Sequence, residues 1–154
     1  LAEVTARFEE IYQGAPGTPG LRETETLLIE RPALERLAAR TRLGIVTGRP
    51  RADAERFLAE RGIADLFGAV VTMDDGPLKP DPAPVRAALE RLGVRRAWML
   101  GDTPDDVRAA RAAGVVPLGV VAPSDDVDEA TAALYAAGAA RVLPCAAEIE
   151  EVLA

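Results

Sequence analysis

The segment Ala97-Trp98-Met99-Leu100-Gly101-Asp102-Thr103-Pro104-Asp105-Asp106 joins a short apolar run to a turn and a helix start. Its first four residues form a short apolar run bounded by a turn signal, which is typical of a strand buried on both faces. Gly101 allows a sharp turn, and Pro104 suits the first turn of a helix, where its missing N–H would be unbonded anyway. The pattern therefore places the Asp102 carboxylate at the carboxyl end of a parallel strand, where open α/β sheets build their sites. Asp106 follows one helical turn later, so it can face the same crevice.

Composition and charge narrow the class of protein. The 154 residues suffice for one domain with a real core. A net charge of −7 argues against nucleic acid or an anionic membrane as the main partner, and the absence of histidine excludes serine–histidine catalysis and histidine-ligated zinc. No window predicts a transmembrane helix, no signal peptide opens the sequence, and Cys145 is the only cysteine. We therefore expect a cytoplasmic protein.

Alternating patterns predict the architecture. A helix is expected over Leu1–Gln13, followed by a linker at Gly14–Gly20 that is rich in residues which break helices and strands. From Pro32 onward, amphipathic helices alternate with short apolar strands, so we predict an α/β fold, a Rossmann-like parallel sheet with crossover helices. Beyond the stretch that ends at Gly101, strands are expected at Leu43–Val46, Ala69–Thr72, Val115–Val121 and Arg141–Leu143, and a final helix near Ala147–Leu153. Pro117 makes the strand within Val115–Val121 shorter or an edge strand.

Three loops at the carboxyl ends of predicted strands carry candidate site residues. Thr47 and Gly48 offer a hydroxyl and free backbone N–H groups at a helix start, which suits a phosphate, although such a pair taken alone is more often an ordinary helix cap. Lys79 lies in a loop stiffened by flanking prolines, but a lone lysine usually faces solvent. Asp102 and Asp106 form an oxygen-only pair suited to Mg²⁺, or acids that simply favour a helix dipole. All three loops would open on the same edge of the sheet.

Taken in order, these loops resemble known motifs. Val46-Thr47-Gly48-Arg49, Leu78-Lys79-Pro80-Asp81-Pro82 and Leu100–Asp106 are similar to the second, third and fourth motifs of the haloacid dehalogenase-like (HAD) hydrolases. The likeness is to the phosphoglycolate phosphatase-like branch, and within it to phosphatases described as related to imidazoleglycerol-phosphate dehydratase. It covers roughly Pro32 to Ala154. The resemblance implies a HAD-like core and a Mg²⁺-dependent phosphatase that hydrolyses a small phosphate monoester, so the expected partner is a small phosphorylated metabolite.

The resemblance also implies roles for the candidate residues. Thr47, with Gly48 beside it, would bind the transferring phosphoryl group, and Lys79 would neutralise that group and the nucleophile. Asp102 would ligate Mg²⁺, and Asp106 would support the metal through its waters. These roles are physically reasonable because phosphoryl transfer needs positioning and charge neutralisation more than covalent machinery.

One motif of the family is absent from this sequence. The family's first motif is Asp-x-Asp on the first strand, where the first aspartate is the nucleophile and the second the general acid/base. No aspartate precedes Thr47, and the pairs Asp74-Asp75 and Asp125-Asp126 come too late in the chain to replace it. Residues 1–30 are interpreted as the remnant of a helical cap with its linker, and residues 31–154 as a HAD-like core lacking its first strand. We expect the chain alone to be inactive.

The absent strand has a structural consequence. In the family's sheet it lies between the strands that end here at Val46 and Gly101, so its loss would expose two apolar strand edges, which natural sheets avoid. A truncated chain is the favoured explanation. The alternatives are that the two flanking strands close up directly or that another chain fills the gap, and exposed edges would favour self-association.

Two other functions are compatible with parts of this pattern. A non-catalytic HAD-like module would keep the fold for binding or assembly. A receiver domain of the response-regulator type shares the sheet, a lysine and acids at strand ends. The receiver is disfavoured, because its acceptor aspartate should precede the Thr47 and Lys79 positions and none does.

Overall fold

The computed structural model describes residues 2–15 and 17–152. Helix α1 (Ala2–Gln13) leads into two short strands, β1 (Gly14–Ala15) and β2 (Thr18–Pro19), which pair antiparallel. The predicted linker thus contains a small hairpin, because Gly14 and Gly17 adopt positive φ angles that allow the tight turn. Leu1 and Leu153, at the ends of two predicted helices, and Pro16 of the linker lie outside the described residues.

From Arg31 onward helices and strands alternate, as predicted. The elements are α2 (Arg31–Ala38), β3 (Leu43–Val46), α3 (Arg51–Glu60), β4 (Phe67–Val71), α4 (Ala83–Leu92), β5 (Trp98–Gly101), α5 (Pro104–Ala113), β6 (Val116–Val120), α6 (Val127–Ala137), β7 (Arg141–Leu143) and α7 (Ile149–Val152). Short 3₁₀ turns lie at Leu21–Thr24, Ala64–Leu66, Met73–Asp75 and Ala146–Glu148. The predicted α/β class is confirmed.

The parallel strands form two separate sheets. One contains β3 and β4, and the other has the order β5-β6-β7. In register, Val46 lies opposite Val71, and Leu100 lies opposite Leu118. No hydrogen-bonded ladder joins β3 to β5 in the described chain, so the alternative in which these two strands close up directly is wrong.

Two strands differ from their predicted form. β6 is shorter than the predicted run, as expected, but it pairs on both sides and is not an edge strand. Val116 donates its N–H to Ala97 on the β5 side, so the backbone nitrogen of Pro117 faces β7 instead. Pro117 is tolerated there because it precedes Leu118, the first residue of β6 that pairs with β7. β4 begins two residues earlier than predicted and ends before Thr72, whose peptide instead opens the next 3₁₀ turn.

The core lies between the sheets and the helices that cover them. Leu34 and Leu37 of α2 are buried, as are Val107 of α5 and Leu134 of α6. By contrast, the apolar side chains of Val4, Phe8 and Ile11 in α1 are exposed to solvent. No helix in the described part of the chain combines the length and apolarity needed to cross a membrane.

Asp75 links the end of β4 to two helices. Its carboxylate accepts hydrogen bonds from the backbone N–H and hydroxyl of Thr72, and it pairs with Arg51 at 2.5 Å and Arg91 at 2.7 Å. The Arg91 hydrogen bond, the Thr72 backbone bond and the Arg51 charge hold the pKa of Asp75 well below its ordinary value of 3.8. This carboxylate is therefore structural, which agrees with its exclusion from the candidate site residues.

We predict that Asp75→Asn lowers the melting temperature at neutral pH and flattens its acid dependence. A carboxyl group whose pKa is depressed by folding contributes stability above its unfolded pKa and loses that contribution as the pH falls toward the folded pKa. The difference between wild type and variant should therefore shrink below about pH 4. Thermal unfolding across this range measures it, with Asp128→Asn in the exposed first turn of α6 as the control for the same charge change. A constant difference at every pH would contradict the assignment.

Candidate functional site

All the residues singled out in the three loops line one pocket. It has a volume of about 280 Å³ and lies at the carboxyl ends of β3, β4 and β5. The predicted members are Thr47, Gly48, Lys79, Asp102 and Asp106. The parallel strands bring these distant loops together because their carboxyl ends meet on the same edge of the fold.

Lys79 forms the central ion pair of the pocket. Its Nζ lies 2.6 Å from Oδ1 of Asp106 and donates a hydrogen bond to the carbonyl of Val46 at 3.2 Å. The Lys79 side chain is 20% exposed and that of Asp106 only 5%, so the pair is shielded from water on most sides. Lys79 is also the only lysine in the sequence, which otherwise uses arginine for positive charge. Contrary to the simple surface interpretation of a lone lysine, its ammonium points into the pocket.

The start of α5 holds Asp106 in place through a capping box. Thr103 donates its backbone N–H and its hydroxyl to Oδ2 of Asp106, at 3.0 and 2.8 Å, and its own oxygen accepts the Asp106 N–H. Each side chain thereby satisfies a backbone donor that the helix start leaves unpaired. Sequence reasoning missed Thr103, although the Thr-x-x-Asp spacing is a recognisable signal for this arrangement.

Gly101 is required for a different reason from the one expected. Its φ is not positive, so a sharp turn does not demand glycine there. A Cβ at Gly101 would instead lie 2.2 Å from Cβ and 2.6 Å from Cγ of Asp106. The glycine therefore creates the space in which the Asp106 side chain packs against the end of β5.

The two carboxylates have opposite electrostatic environments. Partial desolvation, together with the negative charge of Asp106, raises the pKa of Asp102, although its side chain remains accessible. Burial alone would also raise the pKa of Asp106, but the Lys79 ammonium and the Thr103 hydrogen bonds lower it below the ordinary range. Asp106 is therefore the stably ionised member, and Asp102 is the one that gains most from a bound cation.

The loop after β3 departs from the expected helix start. α3 begins only at Arg51, and the Arg51 N–H is bonded by Asp74 at 2.8 Å, so this helix end does not open directly onto Thr47. Thr47 is not the helix cap either, because its hydroxyl oxygen accepts the backbone N–H of Arg49 at 3.2 Å. What the loop offers an anion is the Thr47 hydroxyl proton and the exposed backbone around Gly48.

Arg49 turns away from the pocket. Its guanidinium pairs with Glu25 at 2.6 Å, donates to the hydroxyl of Tyr12 at 3.3 Å and lies over the ring of Phe57. Gln13 makes a second contact from the same N-terminal segment, donating to Asp53 at 3.0 Å. The side chain of Arg49 therefore joins the N-terminal segment to the loop that follows β3.

The donor set suits a hard divalent cation. Asp102 and Asp106 supply only oxygen, and Asp106 Oδ1 is buried without a hydrogen bond of good geometry, 2.6 Å from the Lys79 ammonium. Across residues 2–15 and 17–152, no group of three acidic, histidine or cysteine side chains converges as a metal cage. Mg²⁺ commonly binds through one or two carboxylates and completes its shell with water and phosphate oxygens, so these two aspartates fit it.

Comparisons with known proteins identify the family. Residues 29–120 match the family described as haloacid dehalogenase-like hydrolase. The chain is 48% identical over 127 residues to an imidazoleglycerol-phosphate dehydratase of Phytophthora nicotianae, a match that covers 80% of the chain and 28% of that protein. It is 49% identical over 83 residues to a phosphoglycolate phosphatase of Rhodospirillum rubrum, covering 51% of the chain and 34% of the relative.

A solved structure also supports membership of this family. A HAD family hydrolase from Deinococcus radiodurans, crystallised with bound phosphate and sodium, superposes with a TM-score of 0.66 at 28% identity, over 79% of this chain and 56% of that one. The parallel α/β fold and its strand-end pocket are thus of the HAD type. This chain belongs to the haloacid dehalogenase-like hydrolase family, and it spans only about a third or less of the curated relatives named above.

Proposed function

We propose that this chain supplies the phosphoryl-binding and Mg²⁺-binding part of a phosphatase site that acts on a small phosphorylated metabolite in the cytoplasm. The convergence of Thr47, Lys79, Asp102 and Asp106 in one pocket is the observation that carries the proposal. The names of the matched phosphoglycolate phosphatase and the phosphate bound to the related hydrolase support it.

Each residue has a task that follows from its position. The Thr47 hydroxyl and the Gly48 backbone donate to the oxygens of the phosphoryl group. Lys79, held by Asp106 and by the Val46 carbonyl, places one positive charge beside them. Such donors act mainly by positioning the group and offsetting its charge.

Asp102 and Asp106 would hold Mg²⁺, which when bound supplies additional positive charge for the phosphoryl oxygens. The Lys79 ammonium and the Thr103 hydrogen bonds lower the pKa of Asp106, which favours its charged carboxylate as a ligand. Besides apolar residues, the pocket is lined by the hydroxyls of threonines and by one further acid, Asp105, whose carboxylate pairs with Arg108 at 2.8 Å. We therefore propose that the nucleophilic carboxylate is not among these residues, and that the chain by itself binds phosphate without hydrolysing esters.

Selective acetylation of Lys79 tests this function. Because Lys79 is the only lysine, mass spectrometry can follow its reaction with an amine-directed reagent, using the terminal amine as an internal standard. Inorganic phosphate with Mg²⁺ should slow acetylation of Lys79 and leave the terminal amine unaffected. Thr47→Val should raise the phosphate concentration needed for half protection about tenfold, since it removes a hydrogen bond to a charged group.

The matched control is Thr41→Val. Thr41 is exposed and precedes β3, at the opposite end of the strand from Thr47, so this substitution should not change the protection of Lys79. Phosphate that protects Lys79 only at concentrations where it also protects the terminal amine would contradict the proposal and favour a non-catalytic module. Turnover of p-nitrophenyl phosphate by the purified chain would overturn the separate assignment of the nucleophile to a residue outside this pocket.

A further inference from the structure

The hydroxyl of Thr47 is held by a neighbouring backbone group. Its oxygen accepts a hydrogen bond from the Arg49 N–H at 3.2 Å. A hydroxyl carries one proton and rotates to suit its partners, so an oxygen that already accepts this bond keeps its proton for a different acceptor. The direction of the Thr47 proton therefore depends on where the Arg49 backbone lies.

The loop from Thr47 to Arg49 is attached to β4 and the turn after it. The Thr47 N–H donates to the Val71 carbonyl at 2.9 Å, and the Met73 N–H donates to the Arg49 carbonyl at 3.2 Å. Gly48, between these two attachments, is exposed and has no side chain to restrict its backbone. The peptide that carries the Arg49 N–H adjoins this glycine, so a restraint from the Arg49 side chain matters here.

The Arg49 side chain is fixed by three other side chains. Two of its nitrogens donate to the two carboxylate oxygens of Glu25, at 3.0 and 2.6 Å, and such a bidentate pair fixes the direction of the guanidinium as well as its distance. The Tyr12 hydroxyl accepts from Arg49 at 3.3 Å and donates to Glu25 at 3.2 Å. The guanidinium carbon also lies 5.5 Å from the ring centroid of Phe57. The orientation of Arg49 is therefore well defined.

Glu25 is anchored at its own backbone. Its carbonyl accepts a hydrogen bond from the side chain of Arg61, which directly follows α3, and its carboxylate is only 20% exposed. An exposed ion pair between two mobile side chains contributes little, because both must lose conformational freedom to form it. Here the acceptor is held and partly shielded from water, so the Glu25–Arg49 pair can restrain the loop that carries Thr47.

We propose that Arg49 is a positioning residue for phosphate binding. The Glu25 carboxylate holds the Arg49 side chain, the Arg49 N–H fixes the oxygen of Thr47, and the Thr47 proton is thereby directed to a phosphoryl oxygen. Neither Glu25 nor Arg49 is among the described residues that line the pocket, so both act through Thr47. The inference rests on the proposed function and extends the site to the segment before α2.

A Glu25→Met variant provides the test, because positioning and simple charge predict opposite results. Removal of the Glu25 carboxylate makes the region more positive, which by charge alone would strengthen the binding of an anion. Loss of the anchor should instead raise, about threefold or more, the inorganic phosphate concentration that half-protects Lys79 from acetylation in the presence of Mg²⁺. The matched control is Glu35→Met, which removes an exposed carboxylate paired with Arg31 at 2.8 Å and should leave that concentration unchanged.

A double-mutant cycle separates positioning from a general effect on the fold or on charge. Arg49→Met should weaken phosphate protection about threefold or more in the wild type and have no effect in the Thr47→Val background, which lacks the oxygen through which Arg49 acts. An equal effect in both backgrounds would overturn the inference, as would unchanged or stronger phosphate protection in Glu25→Met. Those results leave the proposed function standing, whereas a wild type that phosphate does not protect would overturn both.

Discussion

Replacing Lys79 with methionine is expected to lower the free energy of unfolding by about 3 kcal/mol. Asp106 is buried, and after the substitution its carboxylate would keep the Thr103 hydrogen bonds but lose the ammonium 2.6 Å from Oδ1. Removing one partner of a buried ion pair is costly because the remaining charge stays desolvated. Urea denaturation followed by circular dichroism measures the change, and Mg²⁺-dependent phosphate binding should be lost with it.

A second variant and a surface control separate the contribution of the Lys79–Asp106 ion pair from other effects of the substitution. Asp106→Asn in the Lys79→Met background should restore part of the stability, giving a coupling energy of about 1 kcal/mol or more in the double-mutant cycle. Arg108→Met breaks the exposed pair with Asp105 on the same helix and should cost less than about 1 kcal/mol. If Lys79→Met were as mild as Arg108→Met, the buried pair would not hold the pocket together.

Gly101→Ala is the other substitution with a large expected effect. The new Cβ would lie 2.2 Å from Cβ of Asp106, so either β5 or the start of α5 must move. Overpacking of this kind costs about 1–3 kcal/mol, and here it also displaces the carboxylate that pairs with Lys79. We expect a lower melting temperature and loss of phosphate protection at Lys79, measured by thermal unfolding and by the acetylation assay.

Gly48→Ala is the matched control for this effect. Gly48 lines the same pocket, but a Cβ there would meet no atom within 4 Å, and its φ is not positive. We expect its stability to stay within about 0.5 kcal/mol of wild type. Equal losses in the two variants would show that any side chain added near the pocket is disruptive, and the steric account of Gly101 would be wrong.

The residues of the site were easier to predict from the sequence than the contacts that hold them in place. Thr47, Lys79 and Asp102 follow strands whose apolar runs are visible in the sequence, and parallel strands end on a common edge. The loop after β3 was less predictable. The backbone N–H of Arg51 at the start of α3 donates to Asp74, which follows β4, so this helix start does not serve the Thr47 loop. The need for glycine at position 101 was likewise misassigned, since it arises from a contact with the first turn of α5 and not from local backbone conformation.

The α/β class, the order of the elements and the loops that carry the site can be derived from local patterns. They depend on hydrophobic periodicity and on turn residues, which act over a few positions. Local patterns did not predict that Lys79 forms an ion pair with Asp106, that Pro117 lies within a strand paired on both sides, or that a groove separates β3 from β5. These outcomes depend on distances between segments far apart in the chain. Local patterns carry no information on such distances, which are set by the packing of helices against both sheets.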